Sequence, residues 1–125
     1  MQNAPFRFGP LALTNTYTTN ILNPPTTTGG VNASSAPYDK TTILLKHIRV
    51  NNKTAGAVTF RLYIDATGGN TAGKELAFDM SVPANSYVEM YPPNLRLSTA
   101  DFLVGGASAA TSLTIQGEGE IGIGA

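Results

Sequence analysis

The sequence predicts an all-β protein, a single antiparallel β-sandwich or jelly roll with an extended N-terminal arm. Three observations predict it. Thr, Val, Ile, Tyr and Phe, which suit a pleated half-buried surface, recur along the chain. Thirteen glycines and eight prolines break it into short pieces. No stretch holds an apolar period of 3.6 residues, whereas several alternate with period two.

Taken in order, strands are expected near 11–22, 42–51, 57–65, 74–82, 86–91, 95–98, 101–105 and 111–123. The first is the Thr/Tyr-rich LALTNTYTTNIL. The second, ILLKHIRV, runs into NNKTAG at 51–56, which supplies Asn and Gly where positive φ is needed. In the third, Val58, Phe60, Leu62 and Ile64 alternate with Thr59, Arg61, Tyr63 and Asp65. In the fourth, Leu76, Phe78, Met80 and Val82 alternate with Glu75, Ala77, Asp79 and Ser81. Val88 and Met90 carry the fifth. In the last strand Leu113, Ile115, Ile121 and Ile123 share parity across Gly117 and Gly119, which mark a bulge. The expected core is Val58, Phe60, Leu62, Ile64, Leu76, Phe78, Met80, Val88, Met90, Leu113 and Ile115. Eight short strands at this spacing make a sandwich or jelly roll.

The chain of 125 residues is one domain in all, large enough to bury roughly two-thirds of its unfolded surface. Within it, residues 1–38 form a low-charge N-terminal arm and first strand, and 39–125 the remainder of the sandwich. Residues 1–38 carry a single charge, Arg7, among Thr, Asn, Pro and Ser. That is too polar for a core and too uncharged for a typical solvated surface. Two readings stay open: an arm whose backbone is satisfied by another protein, or a long loop with an edge strand.

Composition excludes several functions. Without cysteine there are no disulfides, thiolate catalysis or Cys-based metal sites. Eight basic and eight acidic residues are scattered singly, giving zero formal charge, which argues against nucleic acid and a polybasic membrane patch. Apolar runs are too short to span a bilayer. The N-terminus lacks the marks of a secretion signal, so synthesis in the cytoplasm is expected. The N-x-S/T sequons at Asn32 and Asn52 read as turns.

ATGGNTAGKELAF at 66–78 imitates a phosphate-binding loop, with four residues between Gly68 and Gly73 and Lys74 following. That loop needs a Ser or Thr next, to hold Mg²⁺ at a helix N-terminus. Here Glu75 follows and a strand pattern begins, so a hairpin loop without ligand is expected, and ATP and GTP are expected not to bind.

His47, the sole histidine, shares parity with Arg49 and opposes Ile48 and Val50. It falls on an outward face beside cations, a poor setting for a general base that needs a carboxylate to orient it, and reads as a surface histidine. Glu118 and Glu120 fall on one strand face, and read as a solvated edge rather than a metal or acid/base pair. Tyr63, Tyr87 and Tyr91 alternate outward beside Arg61 and Glu89. Such a cluster suits a protein interface, internal cover by a second layer such as the arm, or a sugar platform. The candidate partner-binding residues are therefore Arg61, Tyr63, Tyr87, Glu89 and Tyr91, with Phe6, Phe8, Leu11 and Leu13 anchoring the arm. Neither catalytic, cofactor-binding nor metal-binding residues are assigned, and no cofactor is expected.

LALTNTYTTNIL at 11–22, HIRVNNKTAGAVTFRLYI at 47–64, VPANSYVEM at 82–90 and LRLSTADFLVGGASAATSLTIQGEGEI at 95–121 together give the chain a family likeness. It resembles small β-sandwich structural proteins of tailed bacteriophage virions, of the capsid decoration, tail or head-fibre type. The resemblance lies in the order of these motifs, which together cover just over half of the chain. It implies a non-enzymatic virion protein made in the host cytoplasm: a capsid decoration or cementing protein that binds the major capsid protein, or another virion protein, as a homo-oligomer, with a trimer favoured. A tail or head-fibre component, or a carbohydrate-binding module for host attachment, is the alternative. NPPTTTGGVNASSAPYDK at 23–40 is longer than the usual first connection of that family.

Overall fold

The computed structural model describes residues 2–22, 30–31, 41–93, 95–98 and 101–123. The fold is all-β, two antiparallel sheets packed as a sandwich, and among the described residues there is no helix. The described residues hold ten strands: β1 (Gln2–Ala12), β2 (Thr19–Leu22), β3 (Gly30–Val31), β4 (Thr41–Asn52), β5 (Val58–Asp65), β6 (Glu75–Val82), β7 (Tyr87–Met90), β8 (Leu95–Leu97), β9 (Phe102–Ala107) and β10 (Leu113–Ile123). The first sheet runs β3-β1-β10-β4-β7, with β8 pairing β4 beside β7, and the second runs β2-β9-β5-β6. Every strand expected from residue 42 onward is present.

The N-terminal stretch departs from expectation. Residues 2–12 form β1, which lies inside the first sheet between β3 and β10. Its pairing with β10 runs from Gln2↔Ile123 to Ala12↔Thr114. One extra residue at Gly9-Pro10 shifts the register between Phe8 and Leu11. The shift explains why inward residues of both parities occur: Phe8 before it, Leu11 and Leu13 after it. The chain then leaves the first sheet: Leu13 N–H still donates to Leu113 O, but Thr14 O accepts from Ala107 N–H in the second. The Thr run of this crossover is satisfied within itself, Thr14 Oγ1 lying 2.6 Å from Thr19 Oγ1 and 3.1 Å from Thr16 Oγ1. That accounts for a polar segment without charges. Asn32 and nearly all of NPPTTTGGVNASSAPYDK lie outside the described residues.

The core between the sheets is built from Phe8, Leu13, Ile21 and Leu22, from Ile43, Leu45, Ile48 and Val50 of β4, and from Val58, Phe60 and Leu62 of β5. Val82, Leu97, Leu103, Ala107, Leu113 and Ile115 complete it. Val88, Met90, Ile64 and Leu76 pack on its rim. Two expected core residues fall elsewhere: Phe78 is 54% exposed and Met80 40%. The cause is a bulge in β6. Phe60 pairs with Met80 but Leu62 with Ala77, so Phe78 and Asp79 together oppose Arg61. Asp79 has φ of 50° there, and Phe78 turns outward. Met80 keeps inward parity but sits on an edge strand, uncovered on one side.

β10 bears the expected glycine irregularity. The pairing slips between Glu118 and Gly119, where β4 carries one extra residue, Lys46. A Cβ at Gly117 would strike the Phe8 ring and the His47 carbonyl, and one at Gly119 would strike the Leu44 carbonyl. Both glycines are thus required by the close approach of their neighbours.

Asn52 closes the β4–β5 turn from inside. Its Nδ2 donates to the carbonyls of Gly56, Val82 and Pro83, while its Oδ1 accepts from Thr54 N–H and Oγ1. It is buried, which agrees with reading its sequon as a turn.

Candidate interaction surface

The phosphate-loop imitation resolves first. Residues 66–74 connect antiparallel β5 and β6 as a hairpin loop. Its amides are already taken: Ala66 N–H donates to Asp65 Oδ1 and Thr71 N–H to Oδ2, at 2.7 and 2.9 Å. Gly68 N–H donates to Asn20 Oδ1 and Gly73 N–H to Glu75 Oε1. Lys74 Nζ reaches Asp65 Oδ1 at 3.2 Å. The chain's own carboxylate fills the place an anion would occupy. The Thr71 and Ala66 amides, with Lys74, hold the Asp65 carboxyl well below the usual carboxylate range, against the opposing effect of burial.

The nine candidate partner-binding residues do not form one cluster. Phe8 and Leu13 are in the chain's own core, and Leu11 packs against it. They therefore cannot anchor β1 on a neighbour while this fold is intact. Phe6 lies in β1 opposite Gly119, its side chain outside the described residues. Arg61 and Tyr63 belong to the second sheet, Tyr87 and Glu89 to the first, and Tyr91 directly follows β7. Sequence parity said outward for each, but the two sheets have opposite outer faces.

On the outer face of the second sheet the crossover acts as a cover. A Cβ at Gly106 would meet the backbone of Tyr17 and Thr14, so this segment lies flat on β9. The Arg61 guanidinium is held between the rings of Tyr17 and Phe78, 4.6 and 4.1 Å from their centroids. It donates from Nε to Asp79 Oδ1 at 2.7 Å and from Nη2 to Oδ2 at 3.3 Å. That fork pairing raises the Arg61 pKa further and lowers that of Asp79. Tyr63 is buried. For Arg61, internal cover by Tyr17 of the N-terminal segment is the arrangement found, and the β6 bulge is what brings Phe78 and Asp79 to one guanidinium.

On the outer face of the first sheet, among the described residues, two tyrosines stand exposed. Pairing places Glu118 opposite His47, Arg49 opposite Gln116 and Glu89, and Asn51 opposite Thr114 and Tyr87. Tyr87 is 46% and Tyr91 69% exposed. The Arg49 guanidinium lies over the Tyr87 ring at 3.9 Å, and Tyr91 stacks on His47 at 5.0 Å between centroids. No family model, curated protein or solved structure matches this chain.

His47 is not the bare surface histidine the sequence suggested. Its Nε2 lies 2.8 Å from Glu89 Oε2 and its Nδ1 3.6 Å from Glu118 Oε1. With its proton on Nε2 the ring donates to Glu89, and a second proton makes Glu118 an ion-pair partner too. An orienting carboxylate is present, but both ring nitrogens face carboxylates, so neither is turned to a hydroxyl nucleophile. β10 is likewise no solvated edge. It lies between β1 and β4, and its Glu120 pairs with Lys46 at 2.9 Å. Among the described residues no three His, Asp or Glu side chains are grouped to hold a metal ion.

The sequence reading passed over Arg49, Asn51, Thr114 and Gln116. The signal available was the parity of β4, which puts Asn51 and Arg49 on the same face as His47.

Proposed function

We propose that this protein is a non-enzymatic bacteriophage virion structural protein, a capsid decoration or cementing protein that binds the outer capsid lattice as an oligomer, with the outer face of the first sheet as its contact. The observation that carries the reading is the exposed pair Tyr87 and Tyr91, aligned on one strand edge with Arg49 and His47 stacked on them. Rigid aromatic side chains braced by charged neighbours are the groups that dominate interfaces. The order of sequence motifs supplies the virion context. The crossover lies on β9 of the second sheet, while Tyr87 and Tyr91 beside the first keep 46% and 69% of their surface exposed.

The test is attachment to particles stripped of the protein, with native mass measurement of the free assembly. Tyr87→Ala with Tyr91→Ala is expected to weaken attachment about 30-fold or more, as loss of an interface hot spot does, while the variant melts like the wild type. Undiminished attachment removes this face from the interface. A chain that is absent from particles refutes the virion assignment, and a monomer at all concentrations refutes the oligomer.

A further inference from the structure

Beside the two tyrosines the same face carries a depression of about 290 Å³, lined by Pro10, Arg49, Asn51, Thr114 and Gln116. Three strands build it: β1 gives the proline, β10 the threonine and glutamine, and β4 the arginine and asparagine. Arg49 is the notable member. Lys46, Arg61 and Lys74 each pair with a carboxylate. Among the described residues no carboxylate pairs with Arg49. The acidic residue opposite it, Glu89, is instead engaged by His47 Nε2. The Arg49 guanidinium is held in place by the Tyr87 ring beneath it, and among the described residues its N–H donors meet no carboxylate.

We propose that this depression binds a carboxylated sugar, one hexuronate residue, with Arg49 taking the carboxylate. The lining supplies each group such a ligand requires. A guanidinium is matched to a planar carboxylate and binds it through two parallel hydrogen bonds. The amides of Asn51 and Gln116 and the Thr114 hydroxyl both donate and accept, as ring hydroxyls do. Pro10 offers an apolar wall to the C–H face. The volume falls just below the range of about 300–1,000 Å³ typical of small-molecule sites, which fits one sugar unit rather than an oligosaccharide. A partner protein's acidic side chain would use Arg49 but leave the amides and hydroxyl without a role. The inference stands apart from the particle-binding reading and is measured without particles.

The experiment is a titration of the ¹⁵N-labelled full chain with glucuronate and galacturonate, following the side-chain amide signals of Asn51 and Gln116. Glucose, acetate and free glutamate serve as comparison ligands. Saturable movement of both signals is expected with a uronate, and about 10- to 100-fold weaker binding with glucose, the loss expected when charge-assisted hydrogen bonds are absent. Arg49→Gln is expected to weaken uronate binding by a similar factor while its backbone spectrum stays that of a folded chain. Gln116→Ala, which retains the guanidinium, tests the hydroxyl contacts and is expected to weaken uronate but not acetate. The proposal is overturned if neither uronate gives saturable shifts, or if Arg49→Gln binds them unchanged. It is also overturned if acetate or glutamate binds as tightly as the uronates, since that describes a receptor for any carboxylate, an acidic side chain included.

Discussion

Whether residues 2–12 belong to this chain's own sheet or serve a neighbour can be decided at Phe8. Its side chain is 0% exposed, lies opposite Gly117 in the β1–β10 ladder, and occupies the space into which a side chain at Gly117 would project. Phe8→Ala leaves a cavity at the junction of β1, β10 and β4 and should cost about 3–5 kcal/mol, against roughly 5–15 kcal/mol for a whole domain. Unfolding entropy of about 2.1 cal/mol/K per residue, taken over 125 residues, converts that to a fall of roughly 11–19 °C in Tm. Gly117→Ala should cost about 1–3 kcal/mol by overpacking. In the double variant the alanine methyl enters the space the ring has left, although its contact with the His47 carbonyl persists. The double loss should therefore be smaller than the sum of the single losses, by about 0.5–3 kcal/mol. Urea unfolding of the four proteins in the cycle, backed by thermal melts, provides the measurement. A Phe8→Ala midpoint within about 2 °C of the wild type, the behaviour of a surface substitution, would refute the placement of β1 and restore the arm on a neighbour.

Two further outcomes are expected. Asp65 has its pKa lowered in the folded state, chiefly by the Thr71 amide; its contribution is complete above the unfolded value of about 3.9 and is lost as pH falls toward the lower folded one. Urea midpoints should decline below about pH 4 and decline less steeply in Asp65→Asn, and equal slopes would contradict the loop assignment. Asn52→Asp keeps the acceptor for Thr54 but replaces the donor to three carbonyls, and should cost about 1–3 kcal/mol in chemical unfolding; an unchanged midpoint would show that Asn52 does not tie the β4–β5 turn to residues 82–83.

Legibility in the sequence followed local periodicity and failed where one residue was inserted. β5 alternates without interruption, and Val58, Phe60 and Leu62 are buried as read. β6 looks equally regular as Leu76, Phe78, Met80, yet its bulge sets Phe78 beside Arg61. Nothing in ELAFDMSV announces that Asp79 takes positive φ. β1 was hidden for the opposite reason. Pro5, Gly9 and Pro10 read as breakers, but the register shift absorbs Gly9 and Pro10, and Pro5 lies within the ladder. Parity sets all three tyrosines outward, and Tyr87 and Tyr91 are exposed while Tyr63 is buried, but parity cannot say to which sheet a strand belongs. Only the pairing separates Arg61 and Tyr63 from Tyr87 and Tyr91, and only the pairing brings β10 next to β4, joining Gln116 to Arg49.

The position of β10 also dictates the order in which the fold can be completed. Among the described strands it follows all the others in chain order, yet it is the joint between β1, the earliest of them, and β4. Until it arrives, each of those strands lacks a neighbour on one edge, and the pairing of Gln2 with Ile123 joins the two ends of the described chain. Such non-local closure makes for slow folding and prolonged exposure of unpaired backbone. The nascent chain is therefore most prone to sticking to its own copies in the interval before β10 is in place, and a temperature-sensitive defect in yield, with the finished protein unaltered in stability, is what substitutions that delay β10 should produce.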